Sequence, residues 1–351
     1  MCLLDSASVA GRDLKVFHTL NSMRGVAAIT IVVWHSSQYF GFKLSSSYLA
    51  VDLFFVLSGF VLAHAYEHRF EHGLSTISFM HLRFARLFPL FAFGIAISLV
   101  GVGLAWVTHA HLTWTLLSLA ICALLNLGFL PAPPLHGDAV FPLNGPGWSL
   151  FFELFVNFLY VLLSPILSIR VLITVVSLAA CALVWCAATF GDLSGGWIWQ
   201  TFAVGFARVL FSFPAGVLIY RLTREWRPIK LNGLLAIVAM VLILVINPET
   251  WRAIYDTIAV LTVIPVIVAF ASLTRPIRLL WISSFLGATS YGIYAIHDPI
   301  ITIVNGGIVR LLHKDTTSVS PWFGAIFLLL ILGFVWVLDK YYDGPARRML
   351  S

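Results

Sequence analysis

Long apolar runs alternate with short polar connections along most of this 351-residue chain. About twenty consecutive apolar residues form a helix long enough to cross a lipid bilayer. The pattern predicts helices near 22–40, 48–66, 87–107, 114–130, 148–167, 171–190, 200–221, 231–247, 256–273, 281–303 and 320–338. The predicted fold class is therefore all-α, a polytopic integral membrane helix bundle.

Basic residues between the apolar runs predict how the runs are threaded through the membrane. Lys and Arg are enriched in cytoplasmic loops, so each basic cluster should lie on the cytoplasmic side. If all eleven runs crossed, five crossings would put the clusters near 69–86 and 221–230 on opposite sides. We therefore expect the short run near 114–130, which precedes a stretch without Lys or Arg, to be re-entrant from the outer side. About ten transmembrane helices remain, with both termini in the cytoplasm.

This topology divides the chain into a cytoplasmic N-terminal segment 1–20, a membrane domain 21–339 and a cytoplasmic tail 340–351. The first twenty residues lack the apolar core of a cleavable signal. Composition agrees, since 60% of the residues are hydrophobic and 10% are charged, which excludes an ordinary soluble domain. We interpret the net charge of +6 as a sign of orientation among membrane lipids and expect no nucleic-acid partner. The four scattered cysteines predict neither a disulfide framework nor a metal site.

Two polar side chains in the first apolar run need an explanation, Arg24 and His35. Eleven residues rotate a helix by three turns plus about 20°, so both side chains leave the same face about 16 Å apart. Ionisable groups inside transmembrane helices usually face the bundle interior and mark functional sites. For His35 the alternative is a histidine that only satisfies structural hydrogen bonds.

The second predicted helix carries an acidic residue near its outer end, Asp52, in the stretch VDLFFVLSGF. The small Ser58 and Gly59 of this stretch are equally explained by close packing against another helix. A packing role explains Asp52 less well, because a carboxylate in a membrane helix is costly.

A polar stripe lies along one face of the apolar run that begins at Trp148. Its members, spaced by four, four and three residues, are Ser149, Glu153, Asn157 and Tyr160. Such spacing places them on one helix face. Glu153 either orients a histidine or forms a structural ion pair with Arg208 of the run 200–221, and the sequence leaves both roles open.

A third polar face lies in SYGIYAIHDP, where Ser290, Tyr294 and His297 are spaced by four and three residues. Pro299 has no backbone N–H, so it should leave a carbonyl group free for polar contacts. Under the predicted topology His35, Asp52, Glu153 and His297 fall at mid-membrane or in its outer half. The sequence thus predicts an acid/base cluster inside the bundle.

Two arginines stand one helical turn apart just before the third predicted helix, Arg83 and Arg86. Planar guanidinium groups bind phosphate through two parallel hydrogen bonds, so the pair suits a phosphate-bearing ligand from the cytoplasm. The alternative is that both residues only anchor the helix at the membrane boundary.

Taken together, these motifs resemble acyltransferase family 3, the integral membrane acyltransferases whose bacterial members typically O-acetylate surface glycans. The resemblance runs from about residue 20 to residue 339. Five motifs in the family's order carry it: Arg24 and His35; DLFFVLSGF; Arg83, Arg86 and Pro89; WSLFFE at 148–153; and SYGIYAIH at 290–297.

The resemblance implies roles for individual residues. His35 would be the catalytic base or a transient acyl carrier, with Arg24 positioning it or binding the donor. Acyl-CoA, expected to be acetyl-CoA, would be the donor, its phosphates bound by Arg83 and Arg86. The remaining candidates are Asp52, Glu153 and His297 for catalysis and Trp148, Ser149, Tyr294 and Arg208 for substrate binding.

The resulting hypothesis is an O-acyltransferase of the bacterial inner membrane that modifies a carbohydrate or lipid-linked glycan. A rival is a transporter without chemistry of its own, because intramembrane charges also line transport paths. Another is an acyltransferase acting on a small secreted metabolite. The sequence leaves the acceptor, the acyl length and the oligomeric state open.

Overall fold

The computed structural model describes residues 16–108, 114–274, 280–307 and 320–350. Most of the predicted segment 1–20 lies outside these residues, as does the basic cluster at 275–278. The helices are α1 His18–His35, α2 Ser37–Phe40, α3 Ala50–Glu71, α4 Thr76–Val107, α5 Leu116–Leu127, α6 Gly147–Leu163, α7 Ile169–Phe190, α8 Phe202–Thr223, α9 Leu234–Val245, α10 Arg252–Ile258, α11 Ile264–Leu273, α12 Leu280–Gly307, α13 Trp322–Leu338 and α14 Gly344–Leu350.

The all-α prediction is confirmed. Each of the eleven predicted runs corresponds to one helix or to consecutive helices. Six helical stretches in the described ranges are long and apolar enough to cross a membrane: Ser47–Glu71, Thr76–Val107, Ile169–Phe190, Trp199–Thr223, Arg252–Leu273 and Trp322–Leu350. Shorter apolar helices and the more polar α1 and α12 complete the bundle.

Two names describe the ends of the bundle. The basic end is the end where α3 stops and α4 starts, because Arg69, Arg83 and Arg86 belong to it. The opposite end is the loop end, where the long connection between α5 and α6 emerges. Helix α1 runs from the basic end to the loop end beside α12, as hydrogen bonds from Ser22 to Ser283 and from His35 to His297 show.

Helix α5 enters the bundle and leaves it on the same side. It has 12 residues and so spans about 18 Å, less than the roughly 30 Å of a bilayer core. Phe129, just after its end, stacks on Phe91 of α4 with ring centroids 4.5 Å apart. Helix α6 then runs antiparallel to α4, since Arg83 meets Glu153 near one end and Phe91 meets Gly147 near the other. The short α5 and the antiparallel order of α4 and α6 are what the predicted re-entrant segment requires.

Helices α3 and α8 pack with their backbones in close contact. A methyl group on Gly59 would lie 2.0 Å from the carbonyl oxygen of Phe213, and one on Gly216 would lie 2.0 Å from that of Val56. Small residues at such crossings are typical of membrane helices. The packing explanation for Gly59 is therefore the one that the structure supports.

Candidate active site

A histidine pair joins α1 to α12. The Nδ1 atom of His35 lies 2.8 Å from Nε2 of His297, and the two rings are stacked with centroids 4.9 Å apart. His297 is completely buried, whereas His35 is partly exposed. The imidazole of His35 thus lies against the completely buried ring of His297.

Hydrogen-bond partners determine the tautomers of this pair when both rings are neutral. Nδ1 of His297 lies 3.0 Å from the carbonyl oxygen of Ile293 and 2.9 Å from that of Tyr294. Carbonyl oxygens only accept, so Nδ1 of His297 carries the hydrogen and its Nε2 is an acceptor. His35 must then donate from Nδ1, which leaves its Nε2 unprotonated. The arrangement presents a basic nitrogen at Nε2 of His35.

An open cavity, about 820 Å³ when the solvent space at its mouth is counted, lies between α1, α3, α4, α6 and α12. Much of its lining is apolar, from residues such as Phe54 and Leu150. Its charged lining residues are Arg24, Arg83, Arg86 and Glu153. Because three cations face one carboxylate, the cavity favours an anionic ligand with a slender apolar part.

Glu153 pairs with Arg83 rather than with Arg208, which decides one question that the sequence left open. Its carboxylate accepts a hydrogen bond from Arg83 Nη2 at 3.1 Å and another from the hydroxyl of Ser58. Nε of Arg83 is buried and has no hydrogen-bond partner within the described ranges. Arg24 donates to Ser290 Oγ at 3.0 Å.

Asp52 and Arg208 form an ion pair that is buried from solvent, each side chain being 0% exposed. Arg208 Nη2 lies 2.7 Å from Asp52 Oδ2 and the guanidinium also donates to the carbonyl oxygens of Tyr48 and Gly195. Trp148 covers the guanidinium, 5.2 Å from its ring centroid. These contacts tie α3, α6 and α8 together, and in the part of the chain described none of the three paired or stacked residues lines the cavity.

Tyr294 separates the cavity from the histidine pair. Its ring centroid is 6.0 Å from that of His297 and 5.5 Å from that of Phe54, and its hydroxyl lies 2.6 Å from Ser149 Oγ. Ser149 donates to the carbonyl oxygen of Pro146, so Tyr294 donates to Ser149. Both residues line the cavity, as a substrate-binding role requires.

Some site residues were missed by the sequence analysis. Tyr291 lines the cavity below Arg86, whose guanidinium carbon lies 5.6 Å from the ring centroid. Asp343, whose Oδ2 lies 3.9 Å from Nη1 of Arg86, was assigned to the cytoplasmic tail. Asn144 reaches α12 from the connection before α6. Of these residues only Asn144 had a signal in the sequence. Pro299 predicts a carbonyl group without its helical hydrogen bond, but it does not show which residue donates to that group.

Comparisons with known proteins identify the family of this chain. The sequence profile of acyltransferase family 3, described as an acyltransferase domain, matches residues 17–340. The chain is also 42% identical over 185 residues to "Protein 2 in picA locus" of Rhizobium radiobacter, a match that covers 50% of this chain and 96% of that protein. No solved structure matches significantly. The chain therefore belongs to acyltransferase family 3 and is a multi-pass membrane acyltransferase.

Proposed function

We propose that this acyltransferase moves an acyl group, expected to be acetyl, from cytoplasmic acyl-CoA to a hydroxyl group of a carbohydrate or lipid-linked glycan. The observation that carries the proposal is the position of the histidine pair next to Tyr294, at the inner limit of a cavity with three arginines. The cavity supplies positive charge for a phosphate-bearing donor. The basic nitrogen for a hydroxyl acceptor, Nε2 of His35, lies beyond Tyr294.

The donor enters from the basic end. Lys and Arg accumulate there, so the positive-inside rule assigns that end to the cytoplasm. The membrane would be the inner membrane of a bacterium, with both termini of the chain in the cytoplasm. Arg83 and Arg86 bind the phosphates of acyl-CoA, and Arg24 holds the thioester region nearer to α12. Glu153 keeps the guanidinium of Arg83 in place through their hydrogen bond.

His35 handles the proton of the transfer. Its Nε2 takes the proton of the acceptor hydroxyl while the hydroxyl oxygen attacks the thioester carbon. The C–S bond breaks, and the thiolate of CoA receives that proton. In a second scheme Nε2 attacks the thioester carbon first, the C–S bond breaks and CoA leaves as the thiolate. The hydroxyl oxygen then attacks the acyl carbon of the acyl-histidine, the C–N bond breaks, and the hydroxyl proton passes to the CoA thiolate. Both schemes use the same unprotonated nitrogen.

Inverted and right-side-out membrane vesicles test the donor and the orientation together. Labelled acetyl-CoA added to inverted vesicles, which expose the cytoplasmic face, should transfer label to endogenous glycan or lipid-linked glycan. Right-side-out vesicles should transfer none until they are made permeable, because CoA does not cross the membrane. Absence of transfer and of acetyl-CoA consumption in both preparations would refute the proposed function.

Arg86→Gln should weaken donor binding without slowing the bound complex. A charge-assisted hydrogen bond contributes about 1.5–3 kcal/mol, so KM for acetyl-CoA should rise about 10-fold or more while kcat changes little. Arg69→Gln is the matched control, since Arg69 carries the same charge at the basic end but does not line the cavity. Equal KM values for Arg86→Gln and the control would contradict the donor-binding role.

A further inference from the structure

Pro299 interrupts the hydrogen bonding of α12 two residues after His297. In a regular helix the N–H of residue 299 would donate to the carbonyl oxygen of Ala295, but proline has no such hydrogen. A buried carbonyl group without a donor is costly, particularly inside a membrane. Something else must donate to Ala295.

The side chain of Asn144 takes over this hydrogen bond. Its Nδ2 atom lies 2.8 Å from the carbonyl oxygen of Ala295, and the residue is completely buried. Gly94 of α4 leaves the room for the contact, since a methyl group there would lie 2.6 Å from Asn144 Nδ2 and 2.7 Å from that oxygen. The amide thus fits into a space that a side chain at position 94 would close.

The neighbouring residue adds a second tie to the same turn of α12. The backbone N–H of Gly145 donates to Asp298 Oδ2 at 2.9 Å. Ala295 and Asp298 lie on either side of His297 in the sequence, so the connection before α6 holds the turn that carries the histidine. The ring of His297 follows this turn, because its Nδ1 is bound to carbonyl oxygens of the same helix.

We propose that Asn144 is a positioning residue for the acyl transfer. It replaces the hydrogen bond that Pro299 removes and thereby fixes the direction in which His297 presents Nε2 to His35. The inference rests on the proposed function, in which His35 is the base. Among the described residues, Asn144 is not one that lines the donor cavity, so its effect should appear in kcat and not in KM for the donor.

A rescue experiment separates this role from ordinary packing. Asn144→Leu has a similar volume but no donor, and a displaced turn should lower kcat about 100-fold, the cost of misplacing a catalytic group by about 1 Å. Adding Pro299→Ala returns a backbone N–H to Ala295. The double variant should regain at least 10-fold in kcat over Asn144→Leu, and Pro299→Ala alone is the reference. All rates are normalised to protein that elutes as a single folded species.

A double variant no more active than Asn144→Leu would overturn the inference, as would an unchanged kcat in Asn144→Leu itself. A second readout does not depend on acyl transfer: diethyl pyrocarbonate modifies unprotonated imidazole nitrogens, and its reaction with His35 can be followed by mass spectrometry. Asn144→Leu should change that rate, and Pro299→Ala should restore it. If the wild type transfers no acyl group, the proposed function fails, while this readout still tests Asn144.

Discussion

Replacement of His35 by glutamine is expected to abolish acyl transfer to the acceptor, with a loss of about 10³-fold or more if the residue is the general base. Glutamine keeps a polar side chain but has no nitrogen that can take a proton. The side-chain amide of the glutamine would then replace the imidazole of His35 as the partner of His297. Transfer of labelled acetyl in inverted vesicles measures the loss, while KM for acetyl-CoA should stay near the wild-type value because His35 does not line the described cavity.

His68→Gln is the matched control for this variant. His68 lies at the end of α3, outside the cavity lining, so its replacement should leave the rate within about 2-fold of the wild type, as for most surface changes. Both variants must accumulate in the membrane to the same level. Acyl transfer by His35→Gln at the rate of the control would remove His35 from the mechanism under either scheme.

Removal of Arg208 is expected to have the largest effect on stability. Arg208→Met leaves the carboxylate of Asp52 buried without its cation, and breaking one partner of a buried pair costs about 3–5 kcal/mol. The double variant Asp52→Leu with Arg208→Met removes both charges and should recover most of that loss. Thermal unfolding in detergent measures the difference, and Arg221→Met, which breaks a less deeply buried pair with Glu67, should cost less.

The same double variant tests whether Asp52 is catalytic. Its two charges lie together beside Trp148 and, within the described residues, do not line the cavity. If the Asp52–Arg208 pair is structural, the folded double variant should transfer acetyl at a rate close to that of the wild type. A stable double variant without activity would instead give the Asp52–Arg208 pair a role in acyl transfer.

The helices and the shared face of Arg24 and His35 were predictable because they depend on local periodicity. Residues eleven apart on one helix have a fixed relation whatever surrounds them. The structure shows both side chains against α12, Arg24 at Ser290 and His35 at His297. The spacing of Tyr294 and His297 on one helix face was likewise local information.

The pairing of charges was not predictable, because it depends on which helices meet and at what depth. The sequence offered Arg208 as a partner for Glu153. In the structure Glu153 pairs with Arg83, and Arg208 pairs with Asp52. Helix α3 packs against α8 through Gly59 and Gly216, which puts Asp52 and Arg208 at the same height. Small residues reveal that a close contact exists but not its partner helix. The register therefore had to come from the structure.

The position of Tyr294 between the cavity and the histidine pair has a consequence for the cell that contains the protein. A continuous aqueous path through the bundle would let protons and ions flow down a membrane potential, at about 2.3 kcal/mol per charge for each 100 mV. Tyr294, hydrogen-bonded to Ser149 and packed against Phe54, lies where the cavity ends, so we expect its side chain to restrict ion flow along such a path in the protein without bound donor. The same side chain that lines the donor cavity would then also limit the proton leak through the bundle.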